Sequence, residues 1–336
     1  MIAGKQSIIF DKPVYIEQTA SIVGKKEGEG PLGKLFDQIV EDPMAGMNSW
    51  EEAESKLQEL AVDKLLSKSK IKKDDVRYIL GGDLLGQLIA TSFGVMKYEK
   101  PIFGLYGACS TMGEGIGLGS ILVSGGFAEN VIALASSHFA SAEKQFRFPL
   151  EYGNQRPESA TWTITGCGAV MLTSQKTEIQ VKGITSGKII DYGVKDSMNM
   201  GACMAPAAAD LINQNFKDLD VDENYYDMII TGDLGCVGKK ILIDLLKEKG
   251  YDLSNNHTDC GIEIFDPETQ DTKAGGSGCG CSAVTLSAYL LKNMMERKWN
   301  RILFLPTGAL LSTVSYNEGK SVPGIAHGVI LERQDV

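Results

Sequence analysis

The chain has 336 residues, of which 43% are hydrophobic, so it can bury the core of two domains or of one large one. It carries 43 acidic and 33 basic residues, a net charge of −10, and no Lys or Arg cluster offers the basic face that nucleic acid requires. No apolar run approaches the roughly 18 residues of a membrane span, and residues 1–10 lack a signal-peptide pattern. We therefore expect a soluble mixed α/β protein that binds no nucleic acid and has neither a signal peptide nor a transmembrane segment.

The cysteines and histidines argue against a metal site. Seven cysteines are dispersed without a C-x-x-C pair, and the only histidines are His138, His257 and His327. Zinc sites are typically built from closely spaced cysteine and histidine ligands. We therefore predict free thiols in a reducing compartment, no bound metal and no cofactor.

Helices and apolar strands alternate along the first half. A capping box at Ser49 and Glu52 predicts the start of a helix. Short apolar strands are then predicted at 77–83, 102–106 and 131–135. Between the last two, the turn at 107–110 leads into a helix of small residues that ends near residue 124. Strands alternating with helices indicate a sheet that is covered on both faces.

The second half of the sequence repeats the first in the same order. Asp83 and Asp233 each follow a strand, and Cys109 and Cys281 each stand in a glycine-containing turn before a helix. This shared order indicates a duplicated domain, with halves at residues 1–178 and 179–336. The offset between matching residues grows from 150 for Asp83 and Asp233 to 172 for Cys109 and Cys281, so the second half holds an extra segment, and the polar segment 257–273 is the predicted insertion.

Cys109 stands where a buried strand meets the start of a helix. Unpaired N–H groups and the helix dipole at such a place lower the pKa of a thiol and stabilise an oxyanion. The turn therefore predicts either a nucleophile or an anion-binding site. A small buried cysteine without a function fits the same pattern.

Duplicated α/β halves with a cysteine at this turn resemble the thiolase and 3-oxoacyl synthase superfamily, whose fold has αβαβα layers. Longer strings resemble the stage V sporulation protein AD family. The strings include Gly107-Ala-Cys-Ser-Thr111, Ser136-Ser-His138, Ala142-Glu-Lys-Gln-Phe-Arg147, Met204-Ala-Pro-Ala-Ala-Ala-Asp210 and Gly275-Gly-Ser-Gly-Cys279.

The resemblance implies a homodimer that binds dipicolinic acid, pyridine-2,6-dicarboxylic acid, as the free acid or its calcium salt. It also implies that the protein lies peripherally on the forespore and spore inner membrane. There it would be held by other membrane proteins of the stage V sporulation operon. The family takes dipicolinic acid into the developing spore and releases it at germination. These statements are expectations for this chain.

The resemblance also indicates that catalysis is lost. Acyl-transferring relatives carry His or Asn after the strand that matches 228–231, and again in the turn before the last long helix. This sequence has Gly232-Asp-Leu-Gly235 and Gly276-Ser-Gly-Cys-Gly-Cys281 there, and no second cysteine near the C-terminus. Acyl transfer needs a base and oxyanion donors besides the nucleophile. We therefore predict a binding protein, with an acyltransferase using Cys109 and a structural subunit with a vestigial pocket as alternatives.

Dipicolinate is a flat aromatic dianion, so its site needs donors for two carboxylates and a ring to stack on. Cys109 and Ser110 offer the helix start. We expect Ser136, Ser137 and His138, at the end of the neighbouring strand, to open onto the same crevice.

The segment 144–148 supplies the remaining predicted ligand residues, and a dimer-interface or loop segment with solvated charge fits it equally well. Arg147 is predicted to bind a carboxylate in bidentate fashion, and Phe146 or Phe148 to stack on the ring. Asp83 and Asp233 would repel a dianion, so we expect them to cap turns unless a cation such as Ca²⁺ lies between.

Overall fold

The computed structural model describes residues 1–146 and 155–335. The strands in this part of the chain are β1 (Ile2–Ala3), β2 (Ser7–Gly24), β3 (Gln38–Val40), β4 (Tyr78–Gly82), β5 (Ile102–Gly104), β6 (Asn130–Ser137), β7 (Trp162–Thr163), β8 (Gly166–Thr173), β9 (Ile179–Ser186), β10 (Met228–Thr231), β11 (His257–Asp259), β12 (Gly276–Ser277), β13 (Arg301–Leu305), β14 (Thr307–Ala309) and β15 (Gly324–Arg333). The helices are α1 (Lys25–Gly28), α2 (Trp50–Lys68), α3 (Ile89–Gly94), α4 (Thr111–Ser124), α5 (Phe139–Phe146), α6 (Met200–Leu219), α7 (Gly235–Lys247), α8 (Cys260–Glu263), α9 (Cys279–Thr285), α10 (Leu291–Met295) and α11 (Thr313–Asn317).

The main strands form two units with the same internal order. The first is β5-β4-β6-β8-β2 and the second is β11-β10-β13-β15-β9. In each unit the first three strands pair in parallel. The fourth and fifth strands each pair antiparallel with the strand before them in this order. Antiparallel pairing of β2 with β9 joins the units into one sheet. The predicted duplicated α/β fold is therefore confirmed.

Helices cover both faces of the two units. α4 and α9 pack between the units, α2 covers the outer face of the first, and α6 with α7 covers the second. The hydrophobic core follows these layers, with a large central cluster and one cluster under each outer helix layer. The order of layers is αβαβα, as predicted, and it places the start of α4 at the centre of the molecule.

Most local predictions agree with these elements. The Ser49 hydroxyl accepts the Glu52 N–H at 3.2 Å at the start of α2, and α4 ends at Ser124. The prediction for 257–273 is wrong in part, because its first residues form β11, the counterpart of β5. The boundary at residues 178 and 179 stays a prediction.

Candidate functional site

Cys109 lies in a tight turn between β5 and α4. Ala108 has a φ of +49°, a left-handed conformation that is uncommon for a residue with a side chain. The Ser110 hydroxyl donates to the Gly107 carbonyl at 2.6 Å, and the Thr111 hydroxyl donates to the Ala108 carbonyl at 2.7 Å. These hydrogen bonds fix the turn that presents the Cys109 side chain.

Asp233 is the acidic neighbour of Cys109. It follows β10, and the charge of its carboxylate acts on the Cys109 thiol. The same carboxylate accepts the Thr307 hydroxyl at 2.8 Å and the Gly278 N–H at 3.1 Å. The sequence predicted that Asp233 caps its own turn, whereas the structure shows that it connects three segments from both halves.

This environment keeps the thiol protonated. Burial raises the pKa of Cys109 well above its usual value, and the charge of Asp233 raises it further. Burial also raises the pKa of Asp233 to about 7, although its hydrogen bonds act in the opposite direction. The predicted lowering of the thiol pKa by the helix start is therefore wrong, because the thiol is buried and an acid lies near the sulfur.

Two further residues of the site were not identified from the sequence. The Cys279 thiol, at the start of α9, donates to the Ala108 carbonyl at 2.9 Å. Asp259, at the end of β11, accepts the N–H groups of Leu234 and Gly235 at 2.8 and 3.0 Å. Asp259 therefore fixes the loop that carries Asp233. An acid at the end of a strand is visible in the sequence, but these partners come from tertiary contacts.

A narrow cavity of about 30 Å³ lies beside Cys109. Residues around it include Cys109, Leu84, Tyr106, Phe146, Met200 and Leu311. The structure thus brings together Cys109 and Phe146, two of the residues predicted for a ligand site. A space of this size holds about two water molecules. An aromatic ligand therefore enters only if lining side chains move.

Ser136 and Ser137 do not line this cavity. Ser136 faces α2, where its hydroxyl donates to Glu54 at 2.8 Å and accepts the Gln58 amide at 2.8 Å. Ser137 donates to the Ile164 carbonyl at 2.8 Å and accepts the Gly280 N–H at 3.2 Å. The expected common crevice is therefore wrong for both serines, because successive strand residues point to opposite faces and packed segments meet each face. The Ser110 hydroxyl is likewise engaged within its own turn.

A second buried acid pair lies behind Ser136. Burial and the charge of Asp83 raise the pKa of Glu54 to about 8. Asp83 accepts the Leu85 N–H at 2.8 Å and both the N–H and the hydroxyl of Thr91 at 2.8 and 2.6 Å. The predicted turn-capping role of Asp83 is confirmed by these bonds.

The two histidines considered as bases lie away from Cys109. His138 lies in another cleft, where its Nε2 pairs with the Pro43 carbonyl at 2.8 Å and its ring packs against Trp50. Burial lowers the pKa of His138, and it lowers that of His327 to about 4. Arg147 and Phe148, the predicted carboxylate ligand and an alternative stacking ring, lie outside the described residues.

Neither a cluster of metal-binding side chains nor a helix suited to a membrane occurs in the described ranges. Within 1–146 and 155–335, no three side chains of His, Cys, Asp or Glu cluster so that they could hold a metal ion. Over the same ranges, no helix combines the length and the apolar character needed to cross a membrane.

Comparison with known sequences gives one family over nearly the whole chain. The family model described as Stage V sporulation protein AD (SpoVAD) matches residues 4–332. The chain is 45% identical over 332 residues to Stage V sporulation protein AD of Bacillus subtilis (strain 168). That match covers 99% of this chain and 98% of the relative.

Solved structures with a similar fold include thiolases and synthases. A 3-oxoacyl-[acyl-carrier-protein] synthase III from Aquifex aeolicus VF5 has a TM-score of 0.58 at 12% identity, covering 95% of this chain and 99% of that one. Human mitochondrial 3-ketoacyl-CoA thiolase in complex with CoA has a TM-score of 0.58 at 12% identity, covering 98% and 100%. Acat5 thiolase from Ascaris suum in complex with coenzyme A has a TM-score of 0.58 at 11% identity, covering 96% and 100%. At these identities the likeness shows a thiolase-like fold and nothing about activity.

Proposed function

This chain belongs to the Stage V sporulation protein AD family, and we propose that within sporulation it acts as a non-catalytic binding protein for dipicolinic acid. The acid would be taken up into the developing spore and released at germination through this protein. The proposal takes its ligand from the family resemblance. Its support in the structure is the state of Cys109.

The burial of Cys109 beside an acid, Asp233, is the observation that carries the proposal. A nucleophilic thiol needs a base or an environment that favours the thiolate. Here burial raises the pKa of the Cys109 thiol, and the nearby charge of Asp233 raises it further. Asp233 stands where the resemblance places His or Asn in acyl-transferring relatives. The site therefore keeps the fold position of a nucleophile without the means to activate it.

The same site suits an aromatic acid once it opens. Tyr106 and Phe146 offer ring faces beside the Cys109 turn. A protonated Asp233 removes a negative charge that would repel a dianion. If the ligand is the calcium salt, the cation lies between Asp233 and a ligand carboxylate. In both cases Met200 and Leu311 have to move, because the cavity is smaller than the ligand.

The remaining family expectations belong to the same proposal. We infer a homodimer that lies peripherally on the forespore or spore inner membrane. Attachment runs through the membrane proteins of the stage V sporulation operon, since no polybasic amphipathic helix is visible in the sequence. Neither the partners nor the membrane site is required for ligand binding in solution.

Calorimetric titration with dipicolinate tests the ligand. We expect saturable binding by the unmodified protein and binding that is several-fold weaker in Cys109→Ala. Cys236→Ala is the matched control, because Cys236 is exposed and lies outside the site. Acetyl-CoA should leave no adduct detectable by intact mass.

The other outcomes distinguish the alternatives. An acetyl adduct on Cys109 without dipicolinate binding would return the protein to the acyltransferases. Neither binding nor an adduct would leave a structural subunit with a vestigial pocket. Equal weakening in both cysteine variants would place the ligand away from the Cys109 cavity.

A further inference from the structure

The loop between β14 and β15 contributes to the wall of the Cys109 cavity. The two strands pair as a hairpin, and the Leu310 N–H donates to the Pro323 carbonyl at 2.8 Å where the pairing ends. Hairpin loops usually have about two to five residues, but this one runs to Val322 and contains α11. Its first residue, Leu311, lines the cavity. A movement of this loop therefore changes the size of the cavity.

Residues 311–320 of this loop are weakly attached to the rest of the chain. None of them is buried, and Val314 and Tyr316 are 68% and 42% exposed. Among the described residues, the hydrogen bonds of 312–320 stay within that range, as in the Ser312 cap of α11. Segments with few buried contacts open most readily in a folded protein. Opening of residues 311–320 therefore breaks few contacts.

The strand before this segment is fixed to the Cys109 turn. Thr307, the first residue of β14, donates to Asp233 at 2.8 Å. A methyl group on Gly308 would lie 2.5 Å from the Gly107 carbonyl oxygen, so no space remains between β14 and the turn. The strand therefore keeps its place in the site when the segment after it moves.

Two hydrogen bonds hold the chain after this segment. The Ser321 hydroxyl donates to the exposed Asp191 carboxylate at 2.5 Å, and the N–H of buried Val322 donates to the Val194 carbonyl at 2.8 Å. Gly319 has a φ of +78° and no atom within 4 Å of an added Cβ, so the chain reverses there in open space. The Ser321 bond is therefore the outer anchor, and its loss should free the segment.

We propose that residues 311–320 form a flap that controls entry to the Cys109 cavity. In the closed position Leu311 completes the wall, and the space of about 30 Å³ admits nothing larger than water. When the Ser321 anchor breaks, the flap moves outward between its two fixed ends and takes Leu311 out of the wall. The flap regulates the site of the proposed function and rests on it for its biological role, but its opening requires no ligand.

Chemical labelling of Cys109 measures the opening. Methyl methanethiosulfonate converts a thiol to a methyl disulfide and releases methanesulfinic acid, and it reaches Cys109 only through the open cavity. Peptide mass spectrometry follows the reaction in a Cys236→Ala background, which lacks the exposed thiol. We expect Cys109 to react about tenfold or more faster than Cys167, which is fully buried in β8 and reports global unfolding.

Two variants distinguish a moving flap from a hole in the wall. Ser321→Ala removes the outer anchor without changing the cavity lining, and it should raise the labelling rate of Cys109 about threefold or more. Ser254→Ala is the matched control, because Ser254 donates to Asp252 at 2.5 Å outside the flap and the cavity. It should leave the rate unchanged. Leu311→Ala opens the wall itself and should give the fastest labelling.

The outcomes separate the flap from the ligand. Equal rates for Cys109 and Cys167 would overturn the flap, and so would a rate that Ser321→Ala leaves unchanged. Cys167 that stays unlabelled in every variant shows that the variants are folded. If calorimetry detects dipicolinate binding, the ligand should slow the labelling of Cys109. Labelling that responds to Ser321→Ala without dipicolinate binding would support the flap and contradict the proposed ligand.

Discussion

At the scale of single residues, the pair of Cys109 and Asp233 defines the chemistry of the site. Burial and the charge of Asp233 raise the pKa of the Cys109 thiol, so the sulfur keeps its proton. Asp233 loses its own proton above about pH 7, and this loss places a full negative charge in a buried space. The charge state of Asp233 should therefore control which ligands enter.

Dipicolinate binding should depend on pH through Asp233. Since burial raises the pKa of Asp233 to about 7, the acid is mostly neutral at pH 6 and mostly charged at pH 8. We expect affinity for the free dianion to fall about tenfold between these values. Asp233→Asn should bind with little change over the same range. Calorimetry at several pH values checks this, and identical profiles for the two proteins would contradict it.

Glu54 should make stability depend on pH. Its pKa is about 8 in the folded chain, above the ordinary value near 4.5, so the folded state holds the proton more tightly. The stabilisation is complete below about pH 4.5 and is lost as pH rises through 8. We expect the Glu54 contribution to the free energy of unfolding to fall by roughly 3 to 4 kcal/mol between pH 5 and 8.

Urea unfolding of Glu54→Gln checks this effect. The amide is neutral throughout, so the variant should be more stable than the unmodified protein at pH 8 and show a smaller slope with pH. Burial also raises the pKa values of Asp233 and Glu27 to about 7. These two acids account for the pH dependence of stability that remains in the variant. Glu129→Gln, at an exposed acid, is the control. A slope unchanged by Glu54→Gln would show that Glu54 is charged in the folded protein.

At the scale of elements, α4 combines close packing with open positions. A methyl group on Gly113 would lie 2.6 Å from the His327 carbonyl oxygen, whereas at Gly117 the nearest atom is 3.6 Å away. Both glycines are interior helix positions, where alanine is favoured by about 1 kcal/mol. The two positions therefore form a matched pair in one helix.

Gly113→Ala should destabilise the protein by about 2 kcal/mol or more, because helix and strand backbones have to separate. Gly117→Ala should be neutral or stabilising by up to about 1 kcal/mol. Chemical unfolding of the two variants gives the comparison. Equal effects would show that the contact between α4 and β15 is looser than described.

The elements were predictable from the sequence because their signals are local. The capping box at Ser49 marks the start of α2, and the glycines after Ser124 mark the end of α4. Each signal involves residues that are only a few positions apart in the sequence. The contact between Cys109 and Asp233 has no such signal, since it joins the two halves. Ser136 and Ser137 show a different limit, because proximity to a strand end does not say which face each side chain takes. The local elements were therefore predicted well and the site only in part.

At the scale of the whole molecule, the two edges of the sheet differ. β5 forms one edge and exposes Ile102 and Phe103, while β11 forms the other and is largely buried. An apolar, unpaired edge strand is a surface that pairs readily with another strand. We infer that a second copy of the chain pairs along β5 in the proposed homodimer.

Phe103→Lys should convert the dimer to a monomer, because two copies would place like charges opposite each other at the paired edge. Phe127→Lys is the control, since Phe127 is 66% exposed in the turn after α4 and is not part of β5. Light scattering after size-exclusion chromatography measures both. A Phe103→Lys dimer, or a monomeric unmodified protein, would contradict the inference.

The position of β2 at the join of the two units has a consequence for biosynthesis. Its long apolar strand is made among the first residues of the chain, yet both of its neighbours, β8 and β9, are translated far later. Until the ribosome has released them, only the short strands β1 and β3 can pair with the two ends of β2, and its middle exposes residues that end up buried. Nascent chains with such exposed strands are prone to aggregate. Synthesis of this protein should therefore depend on chaperones that shield its N-terminal segment until the middle of the chain emerges.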